Sequence, residues 1–213
     1  MIFPMHDWVG GRFSLWSSVG LPIALSVGFE NFKDLLDGAH SADQHFLSKP
    51  LDQNIPVLMG LLGVWYRNFW DYKCYGVLPY SQNMSQFPQY IQQLEMESNG
   101  KSVDMNGDHI DYQTAPVILG GVGSNAQHTF FQLLHQGSDI IPCDFIAFKE
   151  PVYDIGDHHQ KLLSNIIGQS DALMKGRTNA QEPHRHFDGN RPSNTLWIDS
   201  LTPYNLGTLL AFY

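Results

Sequence analysis

Glu97 lies in the run Met96-Glu97-Ser98-Asn99-Gly100-Lys101, after a helical pattern and before a turn-forming trio. A carboxylate at such a boundary is ordinarily solvated, so a role in proton transfer needs more than its position. Arg12 sits in Gly10-Gly11-Arg12-Phe13-Ser14, where two glycines allow close approach of the backbone. An arginine held there can project at a ligand or bridge to a carboxylate. The loop Gly121-Val122-Gly123-Ser124-Asn125-Ala126 follows a strand pattern and matches the dinucleotide fingerprint GxGxxA. The acidic residue expected about 20 positions on is not well placed, since Asp139 precedes the next strand and Asp144 lies inside it. Three readings stay open: a tight glycine turn for helix packing, a polar ligand site at a helix start, and a nicotinamide site. His128 lies just inside the helix that follows. A lone histidine is ordinarily surface or satisfied core, but its place beside a glycine-rich helix start makes it a candidate. His158-His159 and His184-Arg185-His186 lack zinc-ligand spacing and read as a solvated helix start and a loop.

These groups must be positioned by an alternation of strands and helices. Residues 3–20 read as loop with short helix, and Phe29 to Phe46 as an amphipathic helix with Phe29, Phe32, Leu35, Leu36 and Ala39 on one side. Asn54 to Trp70 is apolar on nearly all sides and reads as a buried helix. Tyr75 to Tyr80 is a short buried strand, and Ser85 to Met96 a helix. Asn106-Gly107 between two short arms is a hairpin signal. A strand at Pro116 to Leu119, a glycine loop, and a helix from Ser124 to His135 capped by Ser124 or Asn125 follow. Ile140 to Phe148 and Thr195 to Ile198 are strands; His158 to Met174 is a helix, and Thr202-Pro203 opens another. The alternation predicts an α/β fold with a parallel sheet covered on both faces. Sites in such sheets lie beyond the carboxyl ends of the strands, which points to loops 81–84, 120–127 and 149–156.

Composition narrows the function class. The formal net charge is −9, which offers no basic footprint for nucleic acid or an anionic membrane. No stretch is long and apolar enough to span a bilayer. Apolar residues reach 43% and charged residues only 15%, enough to bury a sizeable core and further surface against a partner. Cys74 and Cys143, in apolar segments, read as reduced thiols of a cytosolic, cytoplasmic protein.

Taken in order, these segments resemble the phosphoglucose isomerase family. Asp7-Trp8-Val9-Gly10-Gly11-Arg12-Phe13-Ser14-Leu15-Trp16-Ser17 is similar to that family's signature. So are Gln92-Gln93 with Met96 to Lys101, Asp111 to Thr114, Asn125 to Gly137, Pro142 to Phe145, His158 to Asn165 and Gly189 to Pro192. The resemblance implies two sugar-isomerase (SIS) domains, each an αβα sandwich with a central parallel sheet. Residues 1–50 would then close the first domain with connecting helices, and residues 51–213 would form most of the second, incomplete at its C-terminus. It also implies reversible conversion of glucose 6-phosphate to fructose 6-phosphate in glycolysis and gluconeogenesis, with no metal or organic cofactor.

The same resemblance assigns roles. Glu97 matches the base that carries a proton between two carbons across a cis-enediol, and Arg12 the cation that stabilises its charge. His128 matches the ring-opening group and Gln93 a substrate contact. In this family the histidine reaches the active site of the other subunit, so a homodimer is implied. The sequence departs from the family at Ala126, where a glycine is usual, and in the short region from Gly176 to Phe187. The phosphate pocket of the first domain and a C-terminal lysine have no match. The chain is therefore expected to be truncated at both ends and inactive alone. The rival expectations are a non-catalytic SIS-type sugar-phosphate binding module and an oxidoreductase using the glycine loop.

Overall fold

The computed structural model describes residues 2–213. In chain order the helices are α1 (Leu21–Val27), α2 (Phe29–Ser48), α3 (Ile55–Val64), α4 (Phe87–Gln92), α5 (Gly123–Ala126), α6 (Phe131–Gln136), α7 (His158–Lys175) and α8 (Pro203–Phe212). The strands are β1 (Cys74–Pro79), β2 (Val117–Gly120), β3 (Cys143–Phe148) and β4 (Ser193–Ile198). They divide into two compact units, one made of residues up to Leu62 with Leu201–Tyr213, the other of Gly63–Ser200.

The first unit is helical. α2 buries Phe32, Leu35, Gly38 and Ala42, a 3–4 spacing that puts one apolar stripe against α8. Glycines make the crossing close. A Cβ on Gly38 would fall 1.9 Å from the Tyr204 carbonyl oxygen, and one on Gly207 1.9 Å from that of Leu35. Thr208 Oγ1 donates to the Gly38 carbonyl at 2.9 Å across the same contact. Thr202 caps α8, its hydroxyl accepting from Asn205 N at 3.1 Å, as its Thr-Pro start predicts. Asn54, buried, donates to Phe46 O at 2.8 Å and fixes the bend into α3.

One expectation about α3 is wrong. The helix forms, continued by a π-helical turn at Trp65–Phe69, but it is not buried: none of its residues is enclosed. Apolar composition says what a helix could bury, not whether anything covers it.

The second unit is a four-stranded parallel sheet in the order β2-β1-β3-β4, the α/β architecture read from the alternation. The chain leaves β1 toward β2, then returns across β1 to β3. With right-handed crossovers, this reversal puts α4 on one face and α5–α7 on the other. Packing agrees. Leu78, Tyr80, Phe145 and Ala147 join Phe131, Leu134, Ile166 and Leu173 in the core under α6 and α7, with Leu119 against it. Gly120, next to Leu119 and so on the opposite face, lies under α4, where a Cβ would fall 2.3 Å from Pro88 Cβ. Buried Asp144 ties three strands together, accepting from Tyr75 Oη at 2.7 Å and Asn194 Nδ2 at 2.9 Å. Burial, reinforced by Asp144, pushes the Tyr75 hydroxyl well above the usual tyrosine range.

The predicted helix from Ser124 to His135 is broken. α5 stops at Ala126, Phe130 adopts φ −138° and ψ 4°, and α6 restarts at Phe131. Neither Ser124 nor Asn125 caps it: the cap position is Val122, without a side-chain bond. Phe131 is in the core and Phe130, at the break itself, packs against its edge. The Asn106-Gly107 turn forms with Gly107 at φ 89°, closed by a bridge between Val103 and His109. Asp104 accepts from the backbone N–H groups of Asn106 and Asp108, which lowers its carboxyl below the usual range.

Candidate active site

α4 does not end at Gln92 but widens into a π-helical turn over Gln93–Glu97. Such turns are rare and concentrate at functional sites. The widened turn sets Gln93 and Glu97 side by side, Gln93 Nε2 donating to Glu97 Oε2 at 3.1 Å, both exposed. Gly100 allows the sharp exit. Its N–H bonds to Met96 O at 2.9 Å, where a Cβ would fall 2.1 Å from that oxygen. Lys101 folds back and donates to the carbonyls of Glu97 (2.9 Å) and Ser98, placing a cation on the open end of the helix. The conspicuous Glu-Ser-Asn-Gly-Lys run is thus a helix-terminating device that holds Glu97 at a defined place.

That place is at one end of the sheet. Gln92 Nε2 donates to Ile118 O at 3.0 Å, Met96 Sδ accepts from Ile118 N at 3.4 Å, and Ala115 N reaches Asn99 O at 3.5 Å. The helix therefore runs antiparallel to β2 and delivers Glu97 near the strand's amino end, away from the carboxyl-end loops that strand order alone singles out.

His128 lies elsewhere. It follows the glycine loop at the carboxyl end of β2, in the broken segment between α5 and α6, on the opposite face of the sheet from α4. Its N–H bonds to Asn125 O at 3.1 Å, and its side chain is exposed at the rim of an open hollow of about 500 Å³. Gln127, His135, Gln169 and Arg177 line the same hollow, with His135 Nε2 2.8 Å from Gln169 Oε1. Arg12 belongs to the helical unit, half-buried in a 3-10 turn (Gly11–Trp16) that Ser14 Oγ secures by donating to Gly11 O at 2.6 Å. Within the sheet unit, then, Gln93 and Glu97 come together and His128 does not join them.

The glycine loop serves packing. A Cβ on Gly123 would lie 2.0 Å from the Tyr80 ring, so protein fills the space a pyrophosphate would need. Burial pushes the Tyr80 hydroxyl up to about 12, with the nearby Gln127 side chain pulling the other way. Ala126, the departure from the usual glycine, is helical and buried in the core, where a methyl is accommodated. Among the described residues no cluster of His, Cys, Asp and Glu could hold a metal, and no helix is long and apolar enough to cross a membrane. Asp144 and Arg191 fall in motif segments of the sequence, but their roles are not legible there: Asp144 joins Tyr75 and Asn194, and the Arg191 guanidinium donates to Asp139 O and Gly137 O. Their partners are distant in sequence, so no local pattern reveals the contacts.

A family model for phosphoglucose isomerase matches residues 1–213. The chain belongs to the phosphoglucose isomerase family. It is 49% identical to a glucose-6-phosphate isomerase of Nitrosospira multiformis and 52% identical to one of Shewanella oneidensis. Each match takes in all of this chain but only 41% and 42% of the relative, so the chain spans about two fifths of the length of these relatives. Among solved structures, a glucose-6-phosphate isomerase from Chlamydia trachomatis superposes with a TM-score of 0.93 at 44% identity, over 98% of this chain and 42% of the other. A hypothetical protein from Thermus thermophilus shares the fold, with a TM-score of 0.79 at 24% identity.

Proposed function

We propose that the chain carries the proton-transfer half of a glucose-6-phosphate isomerase, a cytoplasmic aldose–ketose isomerase working without a cofactor. The supporting observation is the Gln93–Glu97 pair, exposed on a π-helical turn whose exit is pinned by Gly100 and Lys101. In this reading the open-chain substrate lies against the pair. Glu97 removes the proton on C2, the C1–C2 double bond of a cis-enediol forms, and the same carboxyl returns the proton to C1. The oxygen proton moves from O2 to O1, so the product ketose balances the aldose. Gln93 orients Glu97 or a sugar hydroxyl, and the Arg12 guanidinium stabilises charge developing on the enediol oxygens.

His128 opens the sugar ring, and it does so in the site of a second copy. The face and end of the sheet that carry His128 differ from those that carry Glu97, which favours assembly of the site between two chains. Residues 1–50 and 51–213 would belong to two SIS domains, with further site elements on polypeptide that this chain does not span. The 213-residue chain alone is expected to show no appreciable turnover in a coupled assay with fructose 6-phosphate. In a chain completed with the flanking segments of the Shewanella oneidensis relative, Glu97→Gln is expected to lower kcat by about 10²–10⁴-fold with little change in KM. Full turnover in that variant would replace this reading with a binding module that needs no base.

A further inference from the structure

β2 lies at the edge of the sheet, where a strand presents backbone groups that no neighbouring strand can pair. Val117 N donates inward, to Lys73 O at 2.8 Å, so the N–H and C=O of the next residue, Ile118, point off the edge. Ile118 is only 4% exposed, and leaving either group unpaired there would be costly. One helix end satisfies both. Ile118 N donates to Met96 Sδ at 3.4 Å, and Ile118 O accepts from Gln92 Nε2 at 3.0 Å. Gln92 and Met96 are half-buried and four residues apart, so they close on a single strand residue from one side of the helix. Gln93 and Glu97 repeat that spacing one residue further on, exposed and joined by their own bond. One residue turns a helix by about a quarter of a circle, so the two pairs look in different directions from the same widened turn. Packing does not hold this turn to its end. Phe87, Pro88 and Ile91 are enclosed in α4, Leu94 is the last enclosed side chain, and beyond it directional bonds take over. Met96 is central to them, since its carbonyl also accepts from Gly100 N at 2.9 Å.

We propose that Gln92 and Met96 are positioning residues for Glu97: by clamping both free edge groups of Ile118 they set the rotation of the widened turn, and with it the reach of the Glu97 carboxyl. This rests on the reading of Glu97 as the base. A carboxyl that takes a proton from one carbon and returns it to the neighbouring carbon must serve both positions from one seat, so an error in the helix's rotation is felt at both steps. Each clamp residue acts through Glu97 rather than on the sugar. The clamp depends on polar chemistry as well as shape. Leucine matches methionine closely in volume but offers no acceptor, and methionine approaches glutamine in length but offers no donor.

The first test needs no turnover. In the 213-residue chain the Ile118 amide should be protected in hydrogen exchange followed by NMR, and Met96→Leu should speed its exchange about tenfold with the circular dichroism unchanged. The second test uses the completed chain. Met96→Leu and Gln92→Met should each lower kcat about tenfold per folded molecule, with KM within about twofold of the unmutated value. A residue that served stability alone would leave kcat per folded molecule where it was. Added to Glu97→Gln, either substitution should cost nothing further, because the seat of a base cannot matter once the base is gone. Rapid exchange of the Ile118 amide in the unmutated chain, an unchanged kcat in both variants, or full additional losses on top of Glu97→Gln would overturn the proposal. An inactive Glu97→Gln beside fully active clamp variants would sink the positioning role and leave the base standing. Full turnover in Glu97→Gln would remove the base and the positioning role with it.

Discussion

The two faces of the sheet are built on different rules. Under α6 and α7 lies a continuous apolar core, and the helix crossing it is broken at Phe130, beside the core residue Phe131. On the α4 face the helix is short, packs closely over Gly120, and ends in a widened turn that presents Glu97 and Gln93 to solvent. One face is organised for stability and carries His128 at its margin; the other gives its helix end to polar groups held by backbone contacts. On the proposed reading, the base on one face and the ring-opening histidine on the other are drawn from two chains, a stronger constraint than either residue supplies alone.

That comparison can be broken by mixing variants. Chains completed as above and carrying Glu97→Gln or His128→Asn should each be nearly inactive. After dissociation and random reassortment of the two, activity should return to about one quarter of the unmutated level, since half the dimers would hold one intact site of two. No recovery would mean that both groups act within one copy. A smaller effect tests the packing of the glycine loop. Gly123→Ala forces a methyl into the Tyr80 ring and should lower stability by about 1–3 kcal/mol in urea unfolding; a neutral result would reopen the loop as a ligand cradle.

Thiol chemistry sharpens the contrast between core and margin. Burial raises the Cys143 thiol far above its usual range, and its Sγ donates to Ile141 O at 3.3 Å. Cys74, half-buried, is raised less far. Iodoacetamide should therefore modify Cys74 before Cys143 in the folded chain, as peptide mapping would show. The smallest effect is at the Asn106-Gly107 turn. Asp104 has a lowered carboxyl in the folded state, so its contribution is present above the unfolded carboxylate range and is lost as pH falls through the folded value. Replacement by Ala should leave the acid side of the stability profile slightly flatter, and an unchanged profile would show that the turn's bonds persist in the unfolded chain.

Much of this was legible in the residues. Strands at Tyr75, Ile118, Phe145 and Leu196 announce themselves as short apolar runs between turn signals, and the amphipathic spacing of α2 marks its buried side at Phe32 and Leu35, although Phe29 of the same stripe is exposed. Three things were not. The break after Ala126 depends on how Phe130 and Phe131 seat against a core assembled from distant strands. The exposure of α3 depends on what else is present to cover it, and apolarity on all sides reads the same in either case. The position of Glu97 depends on which way α4 runs past β2. Strand alternation directed attention to the carboxyl-end loops, whereas the family motif pointed to a residue that the helix carries to the other end.

The contact between α2 and α8 sets an order of events. Its two glycines fit only if both helices are present, and the whole sheet unit is synthesised between them. The sheet unit is contiguous and can collapse as soon as it emerges from the ribosome, but α2 must wait, its apolar stripe unsheltered, until α8 arrives. The helix made before the sheet unit is thus finished after it. During that interval, a chaperone or a stray apolar surface competes with α8 for the same groove.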